Sequence, residues 1–549
     1  MMDPTAGTRT VSLCAPSRVS RANHPSGSAE GTSLATEILR RFRELPMDHT
    51  WTESLYSPSP VSLQGGLVYA NYGRPEDFNW LKTAGVSVIG CVVVVRVGGG
   101  VSFAEKVWLA ERNGAGGVLI YPDPADVPQD PRRLGLNTHT VHLGSGDPFT
   151  PGFPSFNHTQ FPPIQSSGLP LIPALPISAT VAAKLLSQLS GPSCPPSWRG
   201  RLPYVRCVVG PEFSSGRRVK MSVHNVMTPV LLNNIFSSLE GRVEPDQYII
   251  LGAQRDSLGP GAVKSGVGTA ILLELARTFS AMVKNGFSPR RSLLFVSWDA
   301  GEFGNVGATE WLEGYLSMLH LKAVAYFSLD QAVMGNTKLS ANHSRPPLIC
   351  QLVCVCVCVQ ERAYPFINTQ LDTASRLQEV LGGRLGVTGR GLGELVGEMV
   401  LRLAHDHILP LRITSYAQTI QSPVQGLSPQ WVFSARGDYS RAAETVQRAI
   451  DYSDLHDPAT ARLYNLRIMK VEYYFLSQYV SAVETPFRHV IHGRGDHTLG
   501  ALTEHLALLT SDPGRFNETR FRRQLALFTW TLQGAANGLN GDYSKLEVF

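Results

Sequence analysis

Apolar residues along this chain fall into two textures. Between residues 66 and 330 they come in short unbroken runs such as LVYANYG, VSVIGCVVVVRVGG, GVLIYPDP, YIILGAQ, SLLFVSW and AVAYFSLD, bounded by glycine or proline. Runs of this length and β-branched character predict strands buried on both faces. From about residue 395 the period changes to 3.6, in LGELVGEMVLRLAHDHIL, SRAAETVQRAIDYS, RLYNLRIMKVEYYFLSQYV and FRRQLALFTWTLQGAANGL. A four-helix arrangement is the natural expectation for that block.

In chain order, residues 1–34 are rich in Ser, Thr, Pro and Gly and read as a disordered leader. Residues 35–45 show a short amphipathic helix with Ile38, Leu39, Phe42 and Leu45 on one face. FAEKVWLAERNGAG reads as a helix ended by Asn113-Gly114, and proline punctuates residues 162–203. Next come an expected strand at 248–253, a helix at 265–284, a strand at 292–298, a helix near 308–318 and a strand at 323–329. Val267, Ile271, Leu275, Phe279 and Met282 share one helix face, which stops at Asn285-Gly286. Strands alternating with helices imply a mostly parallel sheet covered on both faces. The divisions expected are 1–60, 61–200, 201–394 and 395–549.

A chain of 549 residues with 43% hydrophobic and 17% charged residues has core enough for about three domains. Its net charge of +5 is small for that length and no basic stripe is interleaved with aromatics, so nucleic acid is not an expected partner. Of eight cysteines, Cys350, Cys354, Cys356 and Cys358 crowd together, and the others lack zinc spacing. Cys194 and Cys207 either close a small loop or remain separate thiols. The sequence shows no run of about 18 apolar residues and no signal-peptide core at its start. Sequons at Asn157, Asn342 and Asn517 are candidate glycosylation sites.

The chemistry concentrates where the central strands end, in GAQRDS, WDAGEFGN and SLD. An open α/β sheet places its site there. A two-zinc peptidase needs histidine and carboxylate ligands and a glutamate base. The stretch resembles the family that includes glutamate carboxypeptidase, and the resemblance assigns positions one by one. Its first histidine ligand is Gln254, its bridging aspartate is Lys264, and its Glu-Glu pair is Gly301-Glu302. A further aspartate is kept as Asp330, and the last histidine is Asn368 in YPFIN. Three of five ligands and the base are replaced, so no zinc and no catalytic residue are expected. An active zinc metallopeptidase is the alternative.

LVYANYGRPEDF, VSFAEKVWLAERNGAGGVLIYPDPADV and GDPFTPGFPSF resemble the protease-associated domain. The whole from about Ala35 onward is similar to the transferrin receptors, most specifically in SARGDYSRAAE, PFRHVIHGRGDHTLGALTEHL and FRRQLALFTWTLQGAANGLNGD. The fold implied is a β-rich protease-associated domain inserted in a zinc-peptidase-like α/β domain, followed by a helical dimerisation domain. The resemblance also implies calcium held by Glu310 and Glu313 with Thr150 and the Phe153 carbonyl. It implies a homodimer at the cell surface that contacts iron-loaded transferrin through Arg436, Gly437 and Asp438, with the haemochromatosis protein as another candidate partner. Asp438, followed by YSRAAETVQRAI, looks like a helix N-terminus; Arg494-Gly495-Asp496 repeats the triplet with no role assigned. His405, His407, His489, His492 and His497 are candidates to titrate at mildly acidic pH. In relatives the interval 331–363 holds more of the fold, and here it carries VCVCVCV, the translation of a TG repeat. The middle domain is therefore expected to be incomplete.

Overall fold

The computed structural model describes residues 19–53, 62–99, 101, 103–126, 171–213, 216, 218–223, 231–302, 304–335, 339–343, 353–359, 364, 366–367, 369–424, 430–480, 488–491 and 495–541. Helix α1 (Ala29–Glu44) opens the fold, capped by the Ser28 hydroxyl, which accepts from the Gly31 N–H. It starts inside the stretch expected to be a disordered leader. Composition pointed the wrong way because Ser28, a residue typical of leaders, is also a helix cap. Ile38 and Phe42 on α1 are fully buried against the central sheet.

Strand β1 (His49–Glu53) is followed by β2 (Ser62–Gly65), β3 (Leu67–Tyr69), α2 (Pro75–Thr83), β4 (Val92–Arg96), α3 (Phe103–Arg112), β5 (Gly117–Tyr121), β6 (Ala174–Pro176) and α4 (Ala179–Leu186). β3, β4, β5 and β6 form a parallel sheet in that order. The all-buried VVVVR of β4 supplies the middle of its core. β7 (Leu189–Ser190) pairs with β8 (Glu212–Phe213), and β9 (Val219–Ser222) with β2. Between them Cys194 and Cys207 form a disulfide, with Cα atoms 5.4 Å apart. Closing so short a loop is worth about 3 kcal/mol through the unfolded chain.

The large sheet is built from β1, β10 (Asn234–Leu239), β11 (Glu244–Gln254), β12 (Arg291–Trp298), β13 (Ala323–Ser328), β14 (Leu339–His343) and β15 (Val353–Val359). Its order is β1-β10-β12-β11-β13-β15-β14. The four inner strands from β12 to β15 run parallel, while β1, β10 and β14 are antiparallel to their neighbours. The valine–cysteine run thus forms a strand beside β13. One face is covered by α1, by α5 (Val267–Lys284) and by α8 (Leu385–His405), which follows α7 (Ala374–Val380). The other face carries α6 (Val306–Lys322), whose Trp311 packs on Phe236 and Trp298. The stretch Ala262–Lys284 is long and apolar enough to cross a membrane by composition, but it is two-thirds buried here as a core helix.

α8 spans the expected division between residues 394 and 395, because Leu392, Val396 and Val400 continue one buried stripe across it. The helical block beyond holds α9 (Ser415–Val424), α10 (Gln430–Asp451), α11 (Pro458–Tyr474), α12 (Leu499–Ser511) and α13 (Glu518–Asn540). α13 lies centrally and packs on α10, α11 and α12. Gly538 permits the closest approach: a Cβ there would meet the Tyr474 ring at 2.8 Å.

Candidate functional site

β11, β12 and β13 end side by side, and their last residues deliver the polar cluster. The Gln254 N–H donates to Asp330 Oδ1 at 2.7 Å, and its Nε2 donates to the Asp256 carbonyl at 3.0 Å. Gly301 is what makes room for it. A Cβ on residue 301 would stand 2.3 Å from the Gln254 side-chain carbon. The two replacements are therefore one coupled change.

Lys264 sits in a wide helical turn, Ala262–Gly266, entered through Gly261 at φ +65°. The Asp372 carboxylate holds that turn by accepting the Val263 and Lys264 N–H groups at 2.9 and 3.3 Å. Lys264 Nζ lies 3.3 Å from Glu302 Oε2, and both residues are buried. Among the described residues neither Glu302 oxygen accepts a well-formed hydrogen bond, so the contact with Lys264 acts through charge. The ammonium is thus the compensating charge at the centre of the site. Arg255 pairs with Asp299 at 2.8 Å, and Asp256 accepts the Gly301 and Glu302 N–H groups at 2.8 and 3.1 Å.

Burial dominates the titration of this cluster. It pushes Asp256 up to about 7, helped by the Asp299 and Glu302 carboxylates and opposed by the two N–H donors. Asp372 rises to about 6, again by burial and against its backbone donors. Enclosure also raises Asp330, while the Gln254 N–H and Lys264 pull it down.

The N-terminal segment crosses this cluster. His24 pairs with Ser257 in a bridge, and its Nε2 is 3.0 Å from Ser265 Oγ. The Ser26 hydroxyl donates to Asp299 Oδ1 at 2.7 Å and accepts the Ala300 N–H at 2.9 Å. Burial lowers the His24 pKa, opposed by backbone hydrogen bonds to Ala22 and Arg255 and helped by the Arg255 charge. Sequence reasoning missed His24, Ser26, Asp299 and Asp372. The GAQRDS phrase contained Arg255 and Asp256, but nothing local in it reveals the partners.

The other expected positions are dispersed. Glu310 is buried on α6 with Glu313 one turn on, half-buried. Thr150, Phe153, Asn157 and Asn368 lie outside the described residues. Asn342 is on β14, and Asn517 caps α13 by accepting the Arg520 N–H. Arg436, Gly437 and Asp438 do not begin a helix; α10 starts at Gln430. Val432, Ala435, Tyr439 and Ala442 make a buried stripe through the triplet, and tertiary packing outweighs the roughly 1 kcal/mol helix cost of Gly437. All three residues are half-exposed, with Asp438 paired to Arg441. The second triplet differs: Asp496 bonds Arg520 and Gln524. His489 is buried 3.1 Å from Glu472, His497 is buried, and His492 lies outside the described residues. Among the described residues no three His, Cys, Asp or Glu side chains are grouped to hold a metal.

The profile described as Peptidase family M28 matches residues 234–349, and that of the PA domain matches residues 58–153. Among solved structures, a zinc aminopeptidase from Bacillus subtilis is 16% identical, with a TM-score of 0.46 over 72% of this chain and 94% of its own. The transferrin receptor protein 2 of Mus musculus and of Homo sapiens are each 45% identical, over 95% of this chain and 79% of theirs. The transferrin receptor protein 1 of Gallus gallus is 38% identical over 96% of this chain and 79% of its own. The mouse alignment runs over 641 positions against a chain of 549, so this chain lacks internal residues that the relative has. By identity and coverage, the chain belongs to the transferrin receptor family.

Proposed function

We propose that this chain is a non-catalytic receptor subunit that binds iron-loaded transferrin at the cell surface, as a homodimer, in iron uptake or sensing. The observation that carries the non-catalytic half is the buried Lys264–Glu302 pair. Zinc does not fit these residues. A cation stands where a bridging anion would be needed, and the Gln254 amide is held by Asp256 while its own bulk requires Gly301. The Ser26 and His24 side chains occupy the same strand ends, where they engage Asp299 and Ser265.

The binding half rests on the relatives, which bear the name transferrin receptor, and on the half-exposed Arg436–Asp438 face of α10. Calcium at Glu310 and Glu313 belongs to the same reading; these two carboxylates on α6 would supply hard oxygen ligands. Surface plasmon resonance with iron-loaded transferrin tests the reading, run with elemental analysis for zinc. Saturable binding without stoichiometric zinc supports it. Absence of binding by the folded chain, or one zinc or more per chain with chelator-sensitive peptide cleavage, overturns it.

A further inference from the structure

The connection between β7 and β8 takes part in none of the roles above. Cys194 and Cys207 close its middle into a ring, with Cα atoms 5.4 Å apart. Between them the chain reads PPSWRGRLPYVR, with three arginines and no acidic residue. Arg199, Arg201 and Arg206 are all exposed, and among the described residues no carboxylate pairs with them. Exposed arginines elsewhere behave otherwise: Arg40, Arg277, Arg390 and Arg522 each hold a glutamate one helical turn away.

The backbone that carries these charges is fixed. Trp198 is buried against the Tyr69 and Trp80 rings, and its carbonyl accepts from the Tyr69 hydroxyl at 2.9 Å. The Arg201 N–H donates to Asp123 Oδ1 at 2.8 Å, and a Cβ on Gly200 would stand 2.0 Å from the other oxygen of that carboxylate. Asp123 is itself fully buried and also accepts from the Ala125 N–H and the Tyr121 hydroxyl, so the acid beneath the loop anchors its backbone. The Cys194 N–H donates to the Cys207 carbonyl at 3.0 Å. Arg199 and Arg206 consequently line one surface depression, together with Trp198 and Asp123. Between them in sequence, Tyr204 is 98% exposed at φ +58°, a left-handed conformation that a bulky residue keeps only when the chain around it is held.

We propose that the Cys194–Cys207 loop is a docking surface for a sulfated glycosaminoglycan. A short arginine-rich stretch is the local composition of a heparin-type patch, and a guanidinium fork matches the oxygens of a tetrahedral oxyanion. The charges sit at three separate positions of a fixed ring and face solvent. That arrangement suits successive sulfates of a polymer better than one enclosed ion. The disulfide places the loop in an oxidising compartment, where sulfated glycans supply such polymers. Because the backbone is already held, binding has only the arginine side chains left to order.

Surface plasmon resonance of the full chain over immobilised heparin, at about 0.15 M salt, tests this. Saturable binding is expected, displaced by soluble heparin and not by polyglutamate or uncharged dextran. The triple variant Arg199→Gln/Arg201→Gln/Arg206→Gln, all exposed positions, weakens it at least about tenfold in protein shown folded by circular dichroism. A second triple variant, Arg43→Gln/Arg242→Gln/Arg448→Gln, removes the same charge from exposed sites on other elements and changes affinity by less than about twofold. Absence of saturable binding overturns the proposal. So does an equal loss in both triple variants, which would reduce the effect to net charge, or equal displacement by polyglutamate, which would make the loop a surface for acidic polypeptide.

Discussion

The sheet domain and the helical block treat their signature polar residues in opposite ways. In the sheet domain Gln254, Lys264, Glu302, Asp256, Asp299 and Asp372 are buried, and most of their polar atoms are satisfied by one another and by backbone. In the helical block Arg436, Gly437 and Asp438 are half-exposed, and only the stripe behind them is packed. Buried carboxylates must be neutralised, and here a lysine and an arginine supply that charge from inside. A half-exposed helix face has no such obligation. Changes in the first region should therefore be read in stability and those in the second in binding.

The sharpest break of that contrast is Lys264→Met. It leaves Glu302 buried without a counter-charge, beside Asp256, and removing one partner of a buried pair costs about 3–5 kcal/mol. Denaturant unfolding should show that loss, and Glu302→Gln in the same chain should recover most of it. A single-variant loss below about 1 kcal/mol would mean that the pair is solvated and not central.

Gly301→Glu, which introduces a carboxylate beside Glu302, comes second. Its Cβ alone would collide with the Gln254 side chain, so overpacking should cost about 1–3 kcal/mol. Gln254→Ala should suppress part of that cost in a double-variant cycle of melting temperatures. Strict additivity would show that the two positions are not coupled.

Much of this site was legible because its positions are local. Gln254, Lys264 and Gly301-Glu302 lie in short phrases next to strands whose apolar runs identify them, and the strands and α5 followed from pattern, whereas the pattern left Cys194 and Cys207 open between a disulfide and separate thiols and the fold pairs them. The dependence of Gln254 on Gly301 was not legible, since it links two strand ends that only the parallel β11–β12 register brings together. Nor was the lid of His24 and Ser26, whose partners Ser265 and Asp299 are more than 240 residues away. The start of α10 was misplaced because Gly437 and Asp438 suggest a boundary locally, while the buried stripe from Val432 to Ala442 overrides them.

The third effect is one of pH. Asp256 at about 7 and Asp372 at about 6 lie above the ordinary 3.8, so the folded state binds these protons more tightly than the unfolded chain does. Their contribution is therefore complete below about pH 4 and is lost as pH rises through roughly 6 to 7, the reverse of a salt-bridged aspartate. Asp256→Asn should gain stability relative to the parent at about pH 8 and lose that advantage below about pH 4. A constant difference across that range would remove Asp256 from the titration and shift the burden to Asp372.

Smallest in stability, and most telling for the comparison, is Asp438→Ala. Its ion pair with Arg441 is one turn apart on an exposed helix face, and such pairs are worth about 0.5 kcal/mol or less. Unfolding should hardly move, because Tyr439, Ala435 and Ala442 keep the buried stripe of α10. Binding of iron-loaded transferrin should fall at least about tenfold, since the lost carboxylate also releases Arg441 from its orientation. Arg441→Ala separates the two contributions: weaker binding here as well would assign the loss to the orientation of the pair, and unchanged binding would assign it to Asp438 itself. If instead Asp438→Ala unfolded the block while leaving affinity per folded molecule intact, the triplet would be structural. The helical block would then handle its polar residues just as the sheet domain does.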